Sequence, residues 1–129
     1  MKIFIICSVR EADQEYKNKV MGYALELKLK GNDAYVPFVD TRQDMSGLNI
    51  CKSNKRAIKD ADEVHIFYNS KSQGTHFDMG VAFALNKKIK IIENESFGEG
   101  KSYPRMINEW SDECNPVEVY YGPFSFDGQ

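Results

Sequence analysis

Residues 63–92, EVHIFYNSKSQGTHFDMGVAFALNKKIKII, hold the unit whose reading decides the fold. Glu63 to Tyr68 is a short, mostly apolar run rich in β-branched and aromatic residues, the composition of a strand. The following SQGTHFDMGVAFALNKK passes through a Gly-containing turn into a segment that is apolar around most of its circumference, which predicts a buried helix. Lys90 to Ile92 then belong to another strand. Two strands joined by a helix make a parallel βαβ unit, because parallel neighbours need a long crossover.

The same alternation extends in both directions. Ile3 to Cys7 is a continuous apolar run, as in a strand buried on both faces of a parallel sheet. From Ala12 to Leu29 the residues Tyr16, Val20, Tyr23, Ala24 and Leu27 mark one face of an amphipathic helix, and Gly31-Asn32 ends it. Ala34 to Val39 reads as a second strand, with Pro37 placing it at an edge, where a missing N–H is tolerated. Asp40 to Gly47 is polar and irregular, a loop over the functional face. Leu48 to Ala61 reads as a second helix. Beyond the central unit, NESFGEGKS is a flexible loop, Pro104 to Asp112 a last helix anchored by Trp110, and Val117 to Tyr121 a fifth strand. The resulting order βαβαβαβαβ, with right-handed crossovers, predicts one α/β domain over residues 1–129. Its fold is a doubly wound, flavodoxin-like five-stranded parallel sheet with helices on both faces.

Composition narrows the function classes. Hydrophobic residues at 42% and charged residues at 28% are those of an ordinary globular domain. A net charge of −2 argues against nucleic acid as a partner. Lys87, Lys88 and Lys90 are expected at a solvated helix end. Cys7, Cys51 and Cys114 show neither disulfide nor zinc spacing. The opening MKIFIICS reads as a strand and not a signal peptide, and no run approaches the roughly 18 apolar residues of a membrane span. A soluble, reduced, cytoplasmic protein without a membrane partner is expected.

In such a sheet ligands bind outside the carboxyl ends of the strands, at the switch point between the first and third. Two loops therefore carry the chemistry. Ser8-Val9-Arg10-Glu11 offers a hydroxyl, a guanidinium and free amides to an anion; Ser8 and Glu11 also match a capping box. Ser72 to Gly80 follows the third strand. Gly74 lets a ligand approach the backbone, and Gly80 calls for a packing or ligand reason. Asp78 is expected in the first helical turn, where the dipole keeps a carboxylate ionised. Facing a sugar, it could attack the anomeric carbon; Thr75-x-x-Asp78 equally matches a cap signature. His65 reads as a core or edge residue. His76 and Asp78 point apart on a helix, leaving His76 at most a ligand contact. GxGxxG, GxxxxGK[ST] and GxSxG are absent, and the arginine a Cys7 phosphatase loop needs is replaced by Asp13.

Taken together, AIKDADEVHIFYNSKSQGTHFDMGVAFALNKKIKII (57–92) resembles the hallmark stretch of the nucleoside 2-deoxyribosyltransferases. KIFIICSVR (2–10) looks like the start of the related 2′-deoxynucleoside 5′-monophosphate N-glycosidases. The resemblance implies cleavage or exchange of the N-glycosidic bond of a nucleoside or its 5′-monophosphate, with no metal or redox cofactor. It puts Asp78 at the nucleophilic carboxylate, Ser8 and Arg10 at a phosphate site, and Ser72 and Gly74 at the sugar cradle. Asn115 falls near a polar residue that the family lends to a neighbouring subunit, implying a homodimer or larger homo-oligomer. Two positions depart from the pattern. Asp78 replaces a glutamate, retracting the carboxylate by about 1 Å. Asn54 stands where the family carries a catalytic aspartate, and an amide cannot take a proton at neutral pH; Asp60 or Asp44 would be the substitutes on a shifted helix. The alternative these departures raise is a catalytically inactive nucleotide-binding module of the same fold.

Overall fold

A computed structural model of the chain describes residues 1–116. In chain order the elements are β1 (Lys2–Ile6), α1 (Gln14–Leu29), β2 (Asp33–Tyr35), α2 (Pro37–Asp40), α3 (Gly47–Asp60), β3 (Glu63–Phe67), α4 (Gln73–Ala84), β4 (Lys88–Glu93) and α5 (Tyr103–Cys114). All strand pairs are parallel, in the order β2-β1-β3-β4. The described residues thus form an α/β layer structure with a four-stranded sheet; the strand expected at 117–121 lies outside them.

The continuous apolar run of β1 is explained by two cores. Phe4 and Ile6 point to one face and pack with Ile58 of α3, Met79 and Ala82 of α4 and Ile107 of α5. Ile3, Ile5 and Cys7 point to the other and meet Val20, Ala24 and Leu27 of α1. Because side chains alternate along a strand, a central strand covered by helices on both faces must be apolar at every position. Trp110 is partly buried against the first core, edge-on to Phe83 at 5.3 Å. His65 is buried on the second face, its ring between Tyr23 Oη at 2.6 Å and Glu63 Oε1 at 3.0 Å.

Local signals set most element ends. Asp13 caps α1 by accepting from Tyr16 N at 2.8 Å. The helix closes where Gly31, at φ +89°, lets Gly31 N reach Lys28 O and Asn32 N reach Leu27 O, a Schellman closure. Asn86, at φ 55°, closes α4 in the same way through Phe83 O and Ala82 O. Lys87, one of the three lysines expected in solvent, instead donates from Nζ to Lys59 O and Ala61 O and ties off α3.

Four expectations are corrected. Pro37 does not sit in an edge strand: β2 ends at Tyr35, and Pro37 opens the short helix α2, where its fixed φ and missing N–H are tolerated. Ser8 and Glu11 form no capping box, since α1 starts later, at Gln14, with Asp13 as its cap. The cap of α4 is Ser72, accepting from Thr75 N at 3.2 Å, so the Thr75–Asp78 pair is not the cap. Nor is α4 fully buried: Phe77 and Phe83 are 53% and 62% exposed, because only the face bearing Thr75, Asp78, Met79 and Ala82 turns inward.

Candidate functional site

A cleft of about 600 Å³ opens at the carboxyl ends of β1 and β3. This is the switch point of the sheet, where the crossovers from β1 and β3 leave in opposite directions. Cys7 and Arg10 reach the cleft from the end of β1, Lys71, Ser72 and Gly74 from the end of β3, Asn54 from α3 and Asp78 from α4. Gln43, from the polar loop after α2, closes one side.

Asp78 is the buried carboxyl of the cleft. The start of α4 at Gln73 places it in the second turn, beyond the reach of the helix N-terminus. Its side chain is buried, with the residue only 5% exposed, and burial pushes its carboxyl from 3.8 up to about 7, opposed only by the hydrogen bond from Asn54. The expectation of a dipole-held, ionised Asp78 is therefore corrected: it lies past the first turn, and desolvation favours its protonated form.

Asn54 Nδ2 donates to Asp78 Oδ2 at 3.3 Å, so the two positions that the family pattern singled out meet in space. Asn54 is itself held. Thr41 Oγ1 donates to Asn54 Oδ1 at 2.7 Å, and Tyr35 Oη lies 2.5 Å from Thr41 Oγ1. Asp60 and Asp44 are elsewhere: Asp60 pairs with Lys2 at 2.9 Å at the amino end of the sheet, and Asp44 pairs with Arg42.

The remaining candidates divide. Arg10 is exposed at the rim. Ser8 is buried and already engaged, its Oγ accepting from Asn69 Nδ2 at 3.1 Å and its N donating to Tyr16 Oη at 2.9 Å. Ser72 both caps α4 and lines the cleft. A Cβ at Gly74 would meet nothing within 4 Å, which leaves space above the backbone at the cleft mouth. The same holds at Gly80, which is exposed, so nothing among the described residues requires glycine there. His76 is spent on structure, with Nδ1 at 2.6 Å from Ser72 O and Nε2 at 2.9 Å from Tyr68 Oη. Asn115 lies at the far end of the sheet, donating to Ile89 O at 2.8 Å near the start of β4. Cys7 is buried and its thiol is pushed up to about 12 by burial and by the charge of Asp78, so it is no thiolate nucleophile.

Lys71, Gln43 and Thr41 were not singled out in the sequence. Lys71 sits between β3 and α4, the position that flags a switch-point loop, and a cation there was a readable signal. Thr41 carries no local signal; only the fold brings it to Asn54. A broader groove of about 860 Å³ runs along β2, lined among others by Lys2, Asp33, Tyr35, Thr41, Arg56 and Asp60. Its acids and bases pair at the surface, as Asp60 does with Lys2, whereas the smaller cleft holds the buried Asp78 and is the better chemical site.

No protein-family model and no curated protein sequence matches the chain. Solved structures do. A CMP N-glycosidase of Clostridium botulinum, BcmB, superposes with TM-score 0.60 at 23% identity, covering 85% of this chain and 80% of that one. A 2-deoxyribosyltransferase from the psychrotolerant bacterium Bacillus psychrosaccharolyticus superposes with TM-score 0.67 at 19% identity, covering 94% and 100%. A 2-deoxyribosyltransferase from Leishmania mexicana gives 0.58 at 20% identity, covering 74% and 65%. Among the described residues no helix is long and apolar enough to cross a membrane. The resemblance read in the sequence and the likeness of the folds agree: this chain has the fold of the 2-deoxyribosyltransferases and of a nucleotide N-glycosidase.

Proposed function

We propose that the chain is a nucleoside-processing enzyme that cleaves or exchanges an N-glycosidic bond, with Asp78 as the nucleophile. The observation that carries this reading is a carboxyl buried at the floor of a switch-point cleft and held by one amide. Burying a carboxylate is costly, and such costs concentrate at functional sites. With its pKa near 7, Asp78 is about half ionised at neutral pH, so a nucleophilic carboxylate is available there.

In the ionised form an Asp78 oxygen bonds to the anomeric carbon as the carbon–nitrogen bond breaks. The bonding pair leaves with the base, which takes a proton from water in the cleft. Water or an acceptor base then attacks the same carbon and gives its proton to the hydroxide left by the first step; the bond to Asp78 breaks, restoring the carboxylate and freeing the sugar or a new nucleoside. Asn54 steadies Asp78 without exchanging protons. Arg10 and Lys71, both lining the cleft, favour an anionic substrate, a nucleoside 5′-monophosphate. The fold likeness to a CMP N-glycosidase supports the same choice.

A second reading, a nucleotide-binding module without turnover, is favoured by Asn54, which supplies no acid or base. The deciding experiment incubates the protein and its Asp78→Ala variant with ribo- and deoxyribonucleosides and their 5′-monophosphates, with and without an acceptor base, and follows free base by chromatography. Base release by the wild type and none by the variant is expected. Release without an acceptor identifies a hydrolase, and release only with one a transferase. Turnover that survives Asp78→Ala removes Asp78 from the mechanism. No turnover, with thermal stabilisation by a nucleotide, selects the binding module.

A further inference from the structure

We propose that Thr41, backed by Tyr35, is a positioning residue that fixes the direction of the Asn54 amide and so decides whether Asp78 is held as a hydrogen-bond acceptor or as an acid. In its consequence for catalysis this rests on the reading of Asp78 as nucleophile; in its structural part it does not.

The geometry is a single chain of hydrogen bonds across four segments. Tyr35 ends β2, Thr41 lies just after α2, Asn54 is on α3 and Asp78 on α4. The contacts are 2.5 Å from Tyr35 Oη to Thr41 Oγ1, 2.7 Å from Thr41 Oγ1 to Asn54 Oδ1, and 3.3 Å from Asn54 Nδ2 to Asp78 Oδ2. Thr41, Asn54 and Asp78 are only 4%, 7% and 5% exposed, so little water competes for these bonds. A threonine hydroxyl has one proton. Because Thr41 gives it to Asn54, Tyr35 must be the donor to Thr41. Tyr35 is fixed in turn, its ring stacked on Phe4 at 5.3 Å.

An amide has nearly the same shape either way round, but its two ends make opposite demands. Nδ2 facing Asp78 requires an acceptor, which favours the carboxylate. Oδ1 facing Asp78 requires a proton, which favours the acid. Thr41 tells the two ends apart when Tyr35 donates to it: with the phenol proton on its oxygen, its own proton is left for Asn54, needs Oδ1 on that side and sends Nδ2 to Asp78. Without that hydroxyl the amide is free to turn, and the buried Asp78, already disfavoured as an anion, keeps its proton to higher pH.

The other titratable groups lining the cleft with Asp78 come from different elements and stay in place in a Thr41 variant. They are Cys7 at the end of β1, Arg10 and Glu11 in the loop after it, Cys51 on α3 and Lys71 in the loop after β3.

The test titrates protein labelled with ¹³C at the aspartate carboxyls, the Asp78 signal being identified by its loss in Asp78→Asn. Thr41→Val should raise the Asp78 midpoint by about one pH unit, a drop of nearly tenfold in the ionised fraction below neutrality. Thr41→Ser should restore the wild-type midpoint, and Tyr35→Phe, which leaves Thr41 its proton but frees its direction, should move it part of the way. In the base-release assay the rising limb of kcat against pH should shift by the same amount while KM stays within a factor of two or so. A variant that was merely less stable would leave the midpoint where it is. Equal midpoints in the wild type, Thr41→Val and Tyr35→Phe overturn the proposal even if base is released. Shifted midpoints without base release by any form uphold the positioning role and overturn the enzymatic reading instead. Should Thr41→Val fail to fold, Tyr35→Phe carries the decision alone.

Discussion

Replacing Asp78 by asparagine keeps the volume and planarity of the side chain but removes its proton equilibrium, so the variant isolates the cost of the buried charge. Asp78 titrates near 7 in the folded protein against an ordinary 3.8. At roughly 1.4 kcal/mol per pH unit that difference corresponds to about 4 kcal/mol, a large part of the ~5–15 kcal/mol that holds a domain of this size together. The sign follows from linkage. The folded state binds the Asp78 proton more tightly than the unfolded chain, so stability is fully present below pH 4 and falls as pH rises through about 7, after which the loss is complete. Asp78→Asn should match the wild type near pH 4 and exceed it by up to about 4 kcal/mol at pH 8. Urea unfolding at a series of pH values, followed through the fluorescence of Trp110, the one tryptophan of the chain and packed on the core, measures this directly. A stability difference between the two proteins that is the same at pH 4 and pH 8 would refute the reasoning, because it would mean that Asp78 is ionised as easily inside the protein as outside. The same variant should release no base, so the residue that destabilises the fold at neutral pH is the one the chemistry needs.

Two further outcomes are expected. Arg10→Ala, and separately Lys71→Ala, should weaken binding of nucleoside 5′-monophosphates by roughly tenfold to a hundredfold, the size of a charge-assisted hydrogen bond of about 1.5–3 kcal/mol, while leaving unphosphorylated nucleosides little changed; calorimetric titration would show it, and equal losses for both ligand classes would end the phosphate assignment. Ser72→Ala removes the cap that accepts from Thr75 N at 3.2 Å and should cost about 0.5–2 kcal/mol in urea unfolding, whereas an unchanged midpoint would mean that α4 is anchored without it.

The amino-acid sequence alone determined the layer order. Apolar runs of strand length alternating with helical periodicity leave few solutions, and the unbroken apolar stretch Ile3 to Cys7 already required a strand covered on both faces. From that order the switch point between the first and third strands followed, and with it the two loops that line the cleft. That Asn54 and Asp78 both belong to the site came from the resemblance to the deoxyribosyltransferases, not from periodicity, which offered a helix cap for Asp78 just as readily.

What only the tertiary structure decided is which polar groups meet, and how dry the meeting place is. Ser8 and Arg10 are near neighbours in sequence, yet Ser8 is buried and spent on Asn69, sixty-one residues away, while Arg10 is exposed at the rim. Capping α4 at Ser72 rather than Thr75 shifted Asp78 by most of a turn, out of the helix dipole and into the interior, where burial raises its carboxyl to about 7. Thr41 and Tyr35 entered the site through β2 and α2, whose boundary at Pro37 no strand pattern revealed. Periodicity records which face of an element is apolar, a local property. Protonation and hydrogen-bond direction depend on distances of about 3 Å between segments remote in the chain and on the water excluded around them, and those exist only once the chain has folded.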